Sequence, residues 1–187
     1  ETGREERTPI TLPKKFDCQR IAPHQTLSGM LEDGELDAVI SPPMPSCFQR
    51  GSPKIGRLWP DYRAVEQDYY RRTGIFPIMH ILGVKKTLVS EYPWLPANLY
   101  KAFSMAKKCA IRDLEVIGAL KVSLPWVGAE LAETRDLMGS DVWPYGVAEN
   151  RPDIEALIRY SVEQGLTEPG LTPEDLFAET TLQTARS

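Results

Sequence analysis

The run from Ile75 to Val84, IFPIMHILGV, constrains this chain more than any other feature. Ten residues this apolar read as a buried strand, broken once at Pro77, whose ring removes a ladder donor. A strand of that kind needs a neighbour along each edge, and the rest of the chain offers few. Short strand patterns occur at Phe16–Ile21 and at Leu36–Ile40. The second follows a helical pattern, with Leu27, Met30 and Leu31 at i, i+3 and i+4, closed by Gly34 in the left-handed cap position. A helix feeding a strand in this way is a building unit of α/β sheets. The expected fold class is therefore α/β, with strands early and helices dominating the second half.

The later helices are well punctuated. One runs from Asp61 to Arg72, with Arg71 and Arg72 at its electronegative C-terminal end and Thr73-Gly74 as its stop. A long one opens at Pro93 and Pro96. It places Leu95, Leu99, Ala102, Phe103, Ala106 and Ala110 on one face, sets Lys107 and Lys108 outward, and makes Cys109 a small core residue. Another runs from Leu124-Pro125-Trp126 to Met138, capped by Gly139. The last is bounded by Asn150, Pro152 and Gly165, with Leu157, Ile158 and Ser161 inward. Residues 1–15 are polar and read as a loop. The chain holds 16 prolines in 187 residues, well above the usual ~5%. Three of them stiffen Ser41-Pro42-Pro43-Met44-Pro45-Ser46-Cys47, an extended segment that suits a crossover, a pocket wall or a surface linker.

Charge and motifs exclude several classes of function. The net charge is −4. It divides into −8 from Ala129 onward and +4 before it, a basic surplus too small for a nucleic-acid partner and better matched to small anions. No apolar run approaches the ~18 residues of a membrane span. Cys18, Cys47 and Cys109 are widely spaced, with no C-x-x-C pair, which speaks against a zinc module or a dithiol redox centre. There is no phosphate-binding glycine loop, dinucleotide fingerprint, G-x-S-x-G or H-E-x-x-H. A single divalent ion held by one histidine and ligand oxygens stays open.

Of the two histidines, His24 follows Pro23 in a loop and reads as a solvated residue. His80 lies inside the apolar run, a satisfied core residue or an acid–base group. Just before that run, Arg71, Arg72 and Thr73 meet Gly74, a corner fit to bind a carboxylate or simply a charge-paired helix end. Asp141-Val142-Trp143-Pro144-Tyr145-Gly146 is an aromatic loop, either anchored to the body of the protein or sealing a ligand cleft with Tyr145.

Long contiguous strings carry a family resemblance. They are Glu35-Leu36-Asp37-Ala38-Val39-Ile40-Ser41-Pro42, Pro45-Ser46-Cys47-Phe48, Trp59-Pro60-Asp61-Tyr62-Arg63-Ala64-Val65-Glu66, Tyr69 through His80, and Met138 through Gly146. Together they resemble the 4,5-dihydroxyphthalate decarboxylase family, over nearly the whole chain to Leu176-Phe177-Ala178. The resemblance implies a two-lobed fold of the type II periplasmic-binding-protein kind, of which this chain would be a C-terminal part. On that reading residues 1–45 are the remainder of the second lobe and the crossover. Residues 46–187 return to the first lobe, with the C-terminal helices packed on it.

The resemblance further implies a carbon–carbon lyase acting on an aromatic dicarboxylate. Arg71 or Arg72 would grip a carboxylate, His80 would move protons, and Ser41 and Ser46 would bind phenolic oxygens. Thr73 and Tyr145 complete the expected substrate contacts. No organic cofactor is needed, and the partner would be a small aromatic carboxylate in the cytoplasm, with a homo-oligomer left open. The alternative is a solute-binding protein for a small carboxylate, without chemistry and periplasmic.

Overall fold

The computed structural model describes residues 12–182, and every regular element among them is a helix. Roughly half of the described residues are helical, and none is in a strand. The α/β expectation is overturned, and with it the two-lobed periplasmic-binding-protein architecture and all three strands read from the sequence. The physical cause lies in pairing. A strand exists only as one rung of a ladder, and Phe16–Ile21, Leu36–Ile40 and Ile75–Val84 find no mate among the described residues. Residues 77–84 carry no regular secondary structure, and no backbone–backbone hydrogen bond among the described residues involves them. Met79, Ile81 and Leu82 stay exposed. Of the polar stretch 1–15, residues 1–11 lie outside the described residues.

The chain divides into two compact units. The first comprises residues 1–66 with 164–166, the second residues 67–163 with 167–187. In the first unit, α1 (Leu27–Asp33) starts where the Thr26 hydroxyl accepts the Gly29 N–H at 3.0 Å, and it stops at Gly34 with φ 79°. That positive φ suits only glycine well, as the sequence indicated. Helix α2 (Ser46–Gln49) packs against α1. The fully buried Cys47 is its core residue. The Ser28 hydroxyl, itself buried, accepts the Cys47 N–H at 2.9 Å and lies 2.9 Å from the Ser46 hydroxyl. These bonds satisfy a buried donor that α2 cannot satisfy internally.

Helix α3 (Tyr62–Thr73) follows, with the Asp61 carboxylate accepting the Ala64 N–H at its start. The second unit then holds α4 (Lys86–Glu91), α5 (Leu95–Glu115), α6 (Val127–Met138), α7 (Arg151–Glu163), α8 (Pro173–Leu176) and α9 (Glu179–Leu182). Helix α5 packs against α4, α6 and α9, while α7 packs against α8. Pro96 in the first turn of α5 and Gly139 after α6 act as the sequence predicted. The core of this unit is Leu131, Val142, Val147, Ile154 and Ala156.

Several side-chain expectations fail here. Cys109 is exposed, and so are Ala102, Phe103, Ala106 and Ala110 of the face read as the core side of α5. Leu157 is exposed, and α7 turns Ile154 and Ala156 inward instead. Lys107 does not face outward; it is turned into the aromatic loop described next.

Candidate functional site

The second unit encloses a cavity of about 880 Å³. Its walls come from the extended run after Gly74, one side of α5, the loop between α6 and α7, the first turns of α7, and residues 175–181. The aromatic loop forms one wall. Lys107 on α5 donates to both carboxylate oxygens of Asp141 at 2.8 and 2.7 Å and to the Trp143 carbonyl at 2.9 Å. Its ammonium lies 4.8 Å from the Tyr145 ring centre. The side chain of Lys107 is only 13% exposed, so this is a charge held largely out of water by three acceptors and a ring face.

Behind it, the Asn150 amide donates to the carbonyls of Pro144 and Gly146 at 2.9 and 2.8 Å. The Tyr100 hydroxyl donates to the Tyr145 carbonyl at 3.2 Å. Gly146 is required at its position. Its φ is 107°, and a Cβ there would meet the Tyr100 hydroxyl at 3.3 Å. Asn150 thus spends its side chain on the loop, while its backbone carbonyl receives the Ile154 N–H of α7. The loop is anchored to the body of the unit, as one of its two sequence readings had it, and it also lines the cavity.

Phe76 packs edge-on against Trp143, with ring centres 5.4 Å apart. That contact seats the extended run against the loop and brings His80 onto the cavity wall together with Tyr145. The wall also carries Asp153, whose Oδ1 is buried without a hydrogen-bond partner. Burial raises the Asp153 carboxyl above the ordinary carboxylate value, opposed by the Phe76 and Asp153 backbone N–H groups. A raised value means the folded state prefers the protonated acid. Its stabilising contribution is complete below the unfolded pKa of about 3.9 and disappears as pH rises through the folded value. Asp153→Asn is therefore expected to be more stable than the parent at pH 7, with the difference closing by about pH 4. Urea unfolding midpoints at the two pH values measure it. Glu174 and Asp175 work in the opposite sense, held low by Arg151 and by Thr172 respectively. Both are common to parent and variant, so they cancel in the comparison.

The other sequence-predicted residues are distributed differently. Arg71, Arg72 and Thr73 do not line the cavity, although Tyr70 and Gly74 on either side of them do. Arg72 Nε donates to Asp68 at 2.9 Å on the exposed surface of α3. The Thr73 hydroxyl closes that helix, donating to the Tyr69 carbonyl and accepting the Ile75 N–H. Ser41 and Ser46 belong to the first unit. Ser41 borders a small pocket of about 40 Å³ with Leu27, Ser28, Val39, Pro43 and Pro45. No cluster of three or more potential metal-ligating His, Cys, Asp or Glu side chains forms among the described residues.

Two residues of interest escaped sequence reading. Asp153 looked like an ordinary acid in the first turn of a helix, and only its burial distinguishes it. Arg57 carried a weak signal, a cation flanked in sequence by Phe48 and Tyr62. In the structure its guanidinium lies over both rings, 5.2 Å from the Phe48 centre and 4.5 Å from the Tyr62 centre.

No helix among the described residues is long and apolar enough to cross a membrane. No family model matches the chain. Against individual proteins it is 39% identical over 178 residues to the 4,5-dihydroxyphthalate decarboxylase of Comamonas testosteroni, a match covering 95% of this chain and 54% of that protein. A stretch of 71 residues is 46% identical to the 4,5-dihydroxyphthalate decarboxylase of Pseudomonas putida, covering 38% of this chain and 28% of that protein. The chain spans about half the length of the first of these relatives. Both matches bear one name, and the first runs through nearly the whole sequence, so the chain is similar to 4,5-dihydroxyphthalate decarboxylases over almost its full length.

Proposed function

We propose that this chain serves the decarboxylation of an aromatic dicarboxylate such as 4,5-dihydroxyphthalate, with His80 as the acid–base group. The observation that carries the reading is His80 on the wall of an aromatic-lined cavity, in a chain 39% identical to a protein of that name. In such a substrate each hydroxyl is para to a carboxylate. Neutral His80 takes a phenolic proton, and the phenolate raises electron density at the ipso carbon opposite. The imidazolium returns the proton to that carbon, the carbon–carboxylate bond breaks, and its electron pair restores the aromatic ring as CO2 leaves. The product is 3,4-dihydroxybenzoate, its phenolate reprotonated from water. Imidazole suits both transfers because its ring nitrogens can accept a proton and donate one.

The ring of the substrate lies against the Tyr145 and Trp143 side of the cavity. The test is incubation of the full chain with 4,5-dihydroxyphthalate and measurement of CO2 and 3,4-dihydroxybenzoate in equal amounts. Saturable binding without either product assigns the protein to the solute-binding alternative and overturns the catalytic reading.

A further inference from the structure

We propose that Arg57 is the anchor of a carboxylate-binding site in the first unit, with an aromatic carboxylate as the ligand class. Its guanidinium is held over the Tyr62 ring, the first residue of α3, and over the Phe48 ring of α2. Ring contacts engage a guanidinium through its flat faces and leave the in-plane N–H edge, which matches the two oxygens of a carboxylate.

That edge is unspent. Arg57 makes no hydrogen bond or ion pair among the described residues. Arg50, Arg72, Arg135, Arg151 and Arg159 are each committed to Glu or Asp side chains. A guanidinium normally loses rotamer freedom when it binds an anion; here two rings have already restricted it, which lowers the cost of capture. The local charge is favourable, with four basic and two acidic residues between positions 46 and 66. Leu58 and Trp59, next in the chain, are 82% and 54% exposed and supply apolar surface of the kind an arene covers. The site stands on unit-one residues alone and does not depend on the decarboxylase reading.

The test is calorimetric titration of the full chain with phthalate, benzoate and uncharged catechol. Phthalate and benzoate are expected to bind and catechol is not. Arg57→Gln should weaken the carboxylates about ten- to a hundredfold, the usual weight of charge-assisted hydrogen bonds. Arg57→Lys should weaken them similarly, because an ammonium keeps the charge but lacks the planar fork. Arg50→Gln, which removes the same charge from the Glu32 pair, should leave them unchanged. The proposal is overturned if Arg57→Lys binds as tightly as the parent, if Arg50→Gln weakens binding as much as Arg57→Gln, or if neither carboxylate binds at millimolar concentration. Binding lost in His80→Ala but kept in Arg57→Gln overturns it as well, while leaving the decarboxylase reading in place. Arg57-dependent binding of phthalate in a chain that releases no CO2 has the reverse meaning.

Discussion

Replacing His80 by alanine is expected to lower the rate of CO2 release from 4,5-dihydroxyphthalate by roughly 10²–10⁴-fold, the usual weight of a positioned acid–base group. The same substitution should leave the urea midpoint nearly unchanged. His80 is exposed on the cavity wall and makes no hydrogen bond among the described residues. A surface-type replacement of this kind usually changes stability by no more than about 0.5 kcal/mol. A split between activity and stability is what separates a proton-moving residue from a packing residue. If the variant kept the parental rate, His80 would have no catalytic role; if it lost rate and stability together, the loss would report on packing.

The second large effect is structural. Lys107→Met is expected to cost about 2 kcal/mol, because hydrogen bonds to a charged group contribute about 1.5–3 kcal/mol. The value sits toward the lower end because Asp141, its main partner, is 55% exposed and recovers solvation when the lysine is removed. Methionine keeps most of the aliphatic stem in place, so packing changes little. The Trp143 carbonyl and the face of Tyr145 also lose their cation. Denaturant unfolding measures the cost. Lys101→Met, an exposed position on the same helix, is the comparison for helix propensity.

Lys107 also shows where sequence reading stops. On a helical wheel it falls with Lys108 on the outward side of α5, and nothing local contradicts that. Its partners lie 34 and 36 residues further on, in a loop whose placement no periodicity reveals. Residues 75–84 mislead in a related way. Apolar content distinguishes buried-type chain from solvated chain, but a strand is defined by a second segment, which no property of the first can supply. Helix limits were legible because their determinants are local. Thr26 and Gly34 around α1, Pro96 in α5 and Gly139 after α6 act through backbone geometry within a few residues. Of the residues that the sequence singled out, His80 and Tyr145 lie on the cavity wall. The stacked guanidinium of Arg57 and the unpartnered oxygen of Asp153 required the third dimension.

The fastening of the aromatic loop also has a kinetic meaning. Its ties to α5 join residues 34 to 45 positions apart, with all of α6 in between. Closing so long a stretch of unstructured chain is entropically costly, and the cost falls once α6 has already shortened it. By this argument the cavity wall forms after the helices it rests on, an order that the folding and unfolding rates of Lys107→Met measure. Interactions absent from the rate-limiting barrier act on the escape from the native state, so the weakness introduced at Lys107 belongs to faster unfolding and not to slower folding. The bonds that shape the cavity wall and the latch that sets the lifetime of the folded unit are then the same few.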